Sequence, residues 1–119
     1  MGKELAGTWG SIIISPEVIS TLAGIATTEC FGIVGVVSSH IFSDGIAELL
    51  GKESLAKGVD IDLKSDVLKI TVNVVIGYGI NISVIAQNVM DNVKYIVERH
   101  TGLKVNHVTV NVQGVRLVG

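Results

Sequence analysis

Few side chains in this sequence are of the kinds that perform chemistry. The three histidines are His40, His100 and His107, and no two of them have the HxxH or HExxH spacing typical of a metal site. His100 falls at the end of a helical pattern, where a histidine interacts favourably with the helix dipole. We therefore predict no metal site.

The acidic and nucleophilic residues give no stronger indication of chemistry. Asp60 and Asp62 alternate along one strand pattern and would lie about 7 Å apart on the same face. An exposed strand provides none of the burial that prepares a carboxyl group for acid–base catalysis, so protection of a sheet edge against aggregation is the favoured interpretation. Cys30 has no evident base partner and is interpreted as a small buried residue. The sequence thus predicts no catalytic residue and no cofactor.

One glycine-flanked turn resembles a phosphate-binding loop in its order of elements. The stretch VVIGYGINISVIAQNV, residues 74–89, reads as a strand, a turn and a helix. A dinucleotide-binding loop needs a third glycine, but Ile82 occupies that position, and no Gly-Lys-Ser/Thr follows as in a Walker loop. We predict a purely structural turn, with a positive φ and little room for a Cβ atom. Its residues are Gly77, Tyr78, Gly79 and Asn81.

Charge and composition exclude two classes of partner. The 119 residues include 9 basic and 11 acidic side chains, for a net charge of −2. Domains that bind nucleic acid cluster Lys and Arg on one face, so nucleic acid is not a predicted partner. No stretch approaches the roughly 18 apolar residues of a membrane span, so direct membrane insertion is not predicted either. The single cysteine, Cys30, fits a reducing compartment and a cytoplasmic location.

The length of 119 residues predicts a single domain over residues 1–119, and the periodicity of its apolar residues predicts the elements. Ser15 and Pro16 form a helix start, Ser65 and Asp66 form a tight connection between two alternating strands, and Thr101-Gly102 stops a long helix. The predicted elements are a strand at 8–14, a helix from 16 to about 30, a strand at 32–39, a short helix at 43–50, a hairpin at 59–76, a helix at 82–100, and a strand from 108 with a bulge after Gly114.

The order β-α-β-(short α)-β-β-α-β predicts an α+β fold. One mixed sheet must bury two amphipathic helices, and the simplest arrangement packs both on one face as a two-layer sandwich. The other face of the sheet is then exposed and polar. The residues predicted on it are Asp60, Asp62, Asn73, Thr109 and Asn111.

The predicted short helix carries more apolar bulk than a connection needs. Covering the core is its favoured role, and presenting a candidate partner surface is the alternative, which stays open. The residues of this surface are Phe42, Ile46, Leu49 and Leu50. Strand edges near 32–39 and 115–118 offer a second route to self-association.

Three phrases in order carry a resemblance to a known family. They are GSIIISPEVISTLAGIATTECFGIVGV, VVIGYGINISVIAQNVMDNVKYIVERHTGLKV and VNVQGVRL. Together they resemble the alkaline shock protein family of Gram-positive bacteria, also called the general or envelope stress response family. GKESLAKGV and MDNVKYIVERHTGL are most similar to its short cytoplasmic members, which are often encoded beside a fatty-acid kinase.

This resemblance implies a non-enzymatic, self-associating protein linked to cell-envelope homeostasis. It implies a homo-oligomer and a partner that is either envelope-associated or a protein of the fatty-acid-kinase type. It implies no catalytic residues. The alternative from a different class is a regulatory domain acting on a lipid-metabolism partner, which would bind a small ligand or an anion at the helix entrance, residues 77–83.

Overall fold

The computed structural model of the chain describes residues 3–7, 9–38, 49–79 and 81–117. Its elements are β1 (Lys3–Gly7), β2 (Gly10–Ile14), α1 (Pro16–Thr28), β3 (Ile33–Val36), a 3-10 helix (Lys52–Gly58), β4 (Val59–Lys64), β5 (Val67–Gly77), α2 (Ile82–Thr101) and β6 (His107–Arg116).

Helix α1 begins as its sequence predicts. The Ser15 hydroxyl accepts a hydrogen bond from the Val18 N–H at 3.4 Å, and Pro16 occupies the first turn, where no N–H is needed. Ile19, Ala23 and Ala26 are fully buried against the sheet. The two alanines are small enough to allow the helix to approach the sheet closely.

Helix α2 is held by specific residues at both of its ends. The Asn81 side chain accepts from the Val84 N–H at 3.2 Å, and Gly102 ends the helix in the left-handed conformation with φ of 75°. Its buried stripe recurs every four residues. The members of this stripe are Ile85, Val89, Val93, Val97 and Thr101. Asn92 links the two helices, because its Nδ2 donates to the Ala26 carbonyl at 2.8 Å.

Strands β4 and β5 form the predicted hairpin, which is confirmed. Their register runs from Val59 opposite Val72 to Lys64 opposite Val67. The connecting residues Ser65 and Asp66 have φ values of 49° and 65°, as a two-residue turn of left-handed residues requires.

Strand β5 is the centre of a mixed sheet. Strand β6 runs parallel to it along one edge, from Lys69 to Gly77. Because a strand has only two edges, β4 and β3 both lie antiparallel on the other edge, β4 along 67–72 and β3 along 74–76. The predicted bulge in β6 is present one residue earlier than expected: Val74 pairs with Val112 and Val75 with Gly114, so Gln113 is the extra residue.

Both helices pack on one face of this sheet, so the predicted α+β sandwich is confirmed. The core between the layers is almost entirely aliphatic. Its sheet residues are Val59, Leu68, Ile70, Val72, Val74, Ile76 and Val108.

The first predicted strand differs from the structure in its partner. Residues 10–14 do form a strand, β2, but it pairs antiparallel with β1 in a separate two-stranded sheet and does not join the sheet centred on β5. The register from Lys3 opposite Ile14 to Gly7 opposite Gly10 makes a local hairpin. Local pairing of two short segments thus replaces a long-range pairing with the central sheet.

The predicted short helix at 43–50 also differs from the structure at the two of its residues that the structure describes, Leu49 and Leu50. Residues 43–48 lie outside the described residues. Leu49 forms a bridge with Val37, and the Leu50 N–H donates to the Val36 carbonyl at 2.7 Å, so these two residues extend the sheet beside β3. The helical turns come later, in the 3-10 helix Lys52–Gly58.

Candidate interaction surfaces

The corner between β5 and α2 owes its shape to one glycine. Gly79 has φ of +91°, a conformation that residues with a Cβ atom rarely adopt. Among the described residues, a Cβ atom built on Gly79 would meet no atom within 4 Å, so the expected crowding at this corner is wrong. Backbone conformation alone favours glycine here. The Tyr78 N–H donates to the Arg116 carbonyl at 2.7 Å and ties the corner to β6.

We expect Gly79→Ala to lower the free energy of unfolding by about 1 kcal/mol, because alanine is strained at positive φ. Gly79→Asn is the matched control and should cost less, since asparagine tolerates this region. Chemical denaturation of the three proteins measures the difference. Equal stability of the alanine variant and the unmodified protein would contradict this account of the corner.

The histidines and paired carboxylates form no site within the described segments. His100 and His107 are exposed at the end of α2 and the start of β6, while His40 lies outside the described residues. Asp60 and Asp62 are exposed on β4, across from Thr71 and Lys69. In the parts of the chain that the structure describes, no three His, Cys, Asp or Glu side chains are grouped to hold a metal ion.

Cys30 is half-buried beside the end of α1. Its Sγ donates to the Ala26 carbonyl at 3.4 Å and lies 3.9 Å from the Asn88 carbonyl. Burial raises the pKa of the Cys30 thiol, and the charge of Glu29 raises it further, while the hydrogen bond with Asn92 opposes the shift. The thiol therefore stays protonated at neutral pH, which makes it a weak nucleophile.

The predicted partner surface is only partly within the described residues. Phe42 and Ile46 lie outside them. Leu49 packs against the sheet so closely that a Cβ atom on Gly35 would lie 2.8 Å from its Cδ2. Leu50 is half-buried, and its Cδ1 would lie 3.0 Å from a Cβ atom on Gly58. These two leucines therefore cover part of β3 and the end of the 3-10 helix.

Asn73 corrects the expectation that the second face of the sheet is wholly exposed. Its side chain points away from the helices, yet the residue is only 1% exposed. Its Nδ2 donates to the Gly58 carbonyl at 3.0 Å, while its Oδ1 accepts from Asn111 Nδ2 at 3.0 Å and from Gln113 Nε2 at 3.2 Å. Both polar atoms of the buried amide have a partner, which is the structural condition for burying it. The other predicted residues of this face, Asp60, Asp62, Thr109 and Asn111, are exposed.

The β1–β2 hairpin is an apolar feature that the sequence reading did not identify. Trp9, at its turn, is 99% exposed, and Ile12 and Ile13 are exposed on β2. Among the described residues, neither strand packs extensively against another helix or strand. The available signal for this hairpin was the separation of the short segments KELAG and GSIII by only two residues.

A second exposed apolar feature lies at the Gly77 end of the sheet. We call Phe31, Tyr78 and Leu117 the end cluster. Their exposed fractions are 81%, 70% and 84%. The Gly77 N–H donates to the Gly32 carbonyl, and Tyr78 is bonded to Arg116, so the three side chains project from adjoining segments of chain.

No strand in the described part of the chain pairs with the outer edge of β6. All of the pairing recorded for β6 is with β5, along its opposite edge. An edge strand of ten residues presents a row of backbone N–H and C=O groups that another strand can use. The end cluster lies at the C-terminal end of this edge.

No helix among the described residues combines the length and apolar character needed to cross a bilayer.

Comparison with known proteins identifies the family of the chain. A model of the alkaline shock protein 23 family, which is described as having a cell envelope-related function, matches residues 4–117. The uncharacterized protein YloU of Bacillus subtilis (strain 168) is 41% identical over 117 residues, which cover 98% of each chain. The uncharacterized protein Spy1614 of Streptococcus pyogenes serotype M6 is 41% identical over 112 residues, covering 92% of this chain and 91% of that protein. No solved structure matches this chain.

Proposed function

Because the chain belongs to the alkaline shock protein family, whose function is related to the cell envelope, we propose that it is a non-catalytic, self-associating scaffold in envelope homeostasis. The resemblance drawn from sequence phrases is confirmed by this membership. The scaffold role and the self-association are the proposal.

One observation carries this proposal: a hairpin with exposed Trp9, Ile12 and Ile13 packs extensively against no other element of the described chain. A single two-stranded hairpin is marginally stable in water and needs a third strand or a packing partner. Large exposed apolar groups of this kind mark interaction sites. The small net charge of −2 adds little repulsion between copies.

Self-association is tested by the mass of the protein in solution. We expect size-exclusion chromatography with light scattering to give a mass above the 12.5 kDa of one chain, rising with protein concentration. A protein that remains at the single-chain mass at the highest attainable concentration would contradict the proposal.

The proposed partner surface around Leu49 needs a separate test. Phe42→Asp combined with Leu49→Asp is expected to lower the association mass if this segment contacts another copy. Because Leu49 also packs on β3, circular dichroism must accompany the mass measurement. A lower mass with an unchanged spectrum supports a contact surface, whereas loss of the folded spectrum identifies the segment as a cover of the sheet.

The proposal also includes a partner protein that is different from this chain. The resemblance to short cytoplasmic family members supports a cytoplasmic location and an envelope-associated or fatty-acid-kinase-type partner. Affinity purification of the tagged protein from its own cells, with the Tyr95→Ser variant as a surface control, tests this. Recovery of neither class of protein would contradict it.

The alternative ligand-binding role has less support at the helix entrance. The Asn81 side chain already accepts the Val84 N–H, and the exposed side chains of Ile82 and Val84 flank the entrance. An apolar rim suits a protein contact better than an anion. We therefore expect phosphate and nucleotides to leave the melting temperature unchanged.

A further inference from the structure

The β1–β2 hairpin exposes a large apolar side chain on each of its faces, although Ile14 at the end of β2 packs against the core. Ile12 and Ile13 are neighbours in β2, so their side chains point to opposite faces, and both are exposed. A hairpin that lay flat on one surface would need only one apolar face. This hairpin is suited to pairing with the edge of another strand. In that position, side chains of the other copy can pack on both of its faces.

The same chain also has features that could bind such a hairpin, at a different place in the fold. No described strand pairs with the outer edge of β6, and the end cluster of Phe31, Tyr78 and Leu117 lies at one end of it. Val115, on β6 itself, is also exposed. A strand added to this edge would gain backbone hydrogen bonds, and its apolar side chains would meet the end cluster.

The hairpin and the end cluster lie at opposite ends of α1. The hairpin leads directly into Pro16, whereas Phe31 follows the last turn at Thr28. At 1.5 Å per residue, the 13 residues of α1 separate them by about 20 Å. The longest dimension of the molecule is 53 Å, whereas the 11-residue strand β5 is roughly 36 Å long. The molecule therefore extends well beyond the length of its central strand.

We propose that the β1–β2 hairpin of one copy binds along the outer edge of β6 in a second copy, with Trp9 packed against the end cluster. This proposal rests on the self-association proposed above and names its contact surface. A second copy is the occupant because one chain carries both halves of the contact. The first is a hairpin whose Trp9, Ile12 and Ile13 stay exposed while Ile14 reaches the core, and the second is an edge of β6 that pairs with no described strand. The two halves are different surfaces, so the contact is head-to-tail and builds rings or open chains rather than only two-fold dimers.

Trp9 is the sole tryptophan of the chain and reports this contact directly. In the isolated copy its side chain is 99% exposed. We expect its fluorescence to shift to shorter wavelength, and its quenching by acrylamide to fall, as the protein concentration and the measured mass rise together.

Two variants separate the two halves of the contact. Ile12→Asp with Ile13→Asp damages the hairpin, and Phe31→Asp with Leu117→Asp damages the end cluster. All four side chains are largely exposed, so both variants should fold, which circular dichroism verifies. Each is expected to weaken association about 30-fold or more, as loss of a hot-spot anchor does. Tyr95→Asp, at an exposed aromatic on α2 outside both surfaces, is the matched control and should associate normally.

Mixing the two variants gives the sharpest result. A hairpin-damaged copy keeps its receiving edge, and a cluster-damaged copy keeps its hairpin. An equimolar mixture is therefore expected to form a pair of twice the 12.5 kDa chain mass that grows no further.

Three outcomes would overturn the inference. Association of the unmodified protein that neither variant weakens would reject this contact while leaving self-association intact. A Trp9 shift that requires lipid vesicles, with no change of mass in their absence, would make a membrane surface the occupant. A protein of single-chain mass whose Trp9 stays fully quenchable would reject both this contact and self-association.

Discussion

Gly58→Ala is expected to lower the free energy of unfolding by about 3 kcal/mol, at the upper end of the cost of overpacking a core. A Cβ atom on Gly58 would overlap the Val36 side chain and the Val37 backbone carbonyl. A flexible side-chain end can move away at small cost, but a backbone oxygen within the sheet cannot. Since the Gly58 carbonyl also accepts from Asn73, any shift of this residue disturbs a buried hydrogen bond as well.

Gly51→Ala is the matched control for this substitution. Gly51 precedes the same 3-10 helix and has φ of −75°, and no atom of the described residues lies within 4 Å of the position of its Cβ. Its replacement should change stability by less than about 0.5 kcal/mol. Urea denaturation of both variants measures the contrast. If the two variants lose similar amounts of unfolding free energy, close packing around Gly58 is not the reason that Gly58→Ala is destabilising.

The parts of the fold that were predicted correctly depend on local patterns. Alternation in 59–64 and 67–74, with a two-residue turn at Ser65-Asp66, specifies the hairpin without reference to the remainder of the chain. The caps Ser15 and Asn81 likewise act within one helical turn. Each of these features is encoded by residues that are close together in the sequence.

The errors concern contacts between distant segments. Alternation correctly turns Asn73 away from the helices, but its burial depends on Gly58, Asn111 and Gln113, which approach from the 3-10 helix and β6. In the same way, the pattern identifies 10–14 as a strand but does not specify its partner. Periodicity predicts the face of a strand on which a side chain lies. It does not predict which distant residues pack against that face.

The interaction surfaces show the same difference between features that are encoded locally and features that depend on distant segments. The sequence singled out Phe42, Ile46, Leu49 and Leu50 because apolar bulk in a short segment is visible locally. Leu49 and Leu50 pack on the sheet. The end cluster was not foreseen, because Phe31, Tyr78 and Leu117 come from three distant segments that only the folded sheet brings to one end.

Asn73→Asp is the second substitution with a large expected effect. The introduced carboxylate keeps the donors Asn111 and Gln113, but it loses the Nδ2 that donates to the Gly58 carbonyl. At neutral pH a negative oxygen then faces a carbonyl oxygen in a site that is only 1% exposed. We expect a loss of about 3 kcal/mol in the free energy of unfolding.

The loss should depend on pH in a defined direction. Burial raises the pKa of the carboxyl introduced by Asn73→Asp above the value of about 4 that it has in the unfolded chain. Stability relative to the parent is therefore greatest below about pH 4, where the protonated carboxyl can donate to the Gly58 carbonyl, and it falls as the pH rises through the raised pKa. Asn111→Asp, an exposed member of the same network, is the control and should show a small loss with little dependence on pH. Denaturation curves of the parent and both variants at pH 4 and pH 7 supply the comparison. If Asn73→Asp and Asn111→Asp lose the same stability at both pH values, the amide of Asn73 is not the buried link between the 3-10 helix and the sheet.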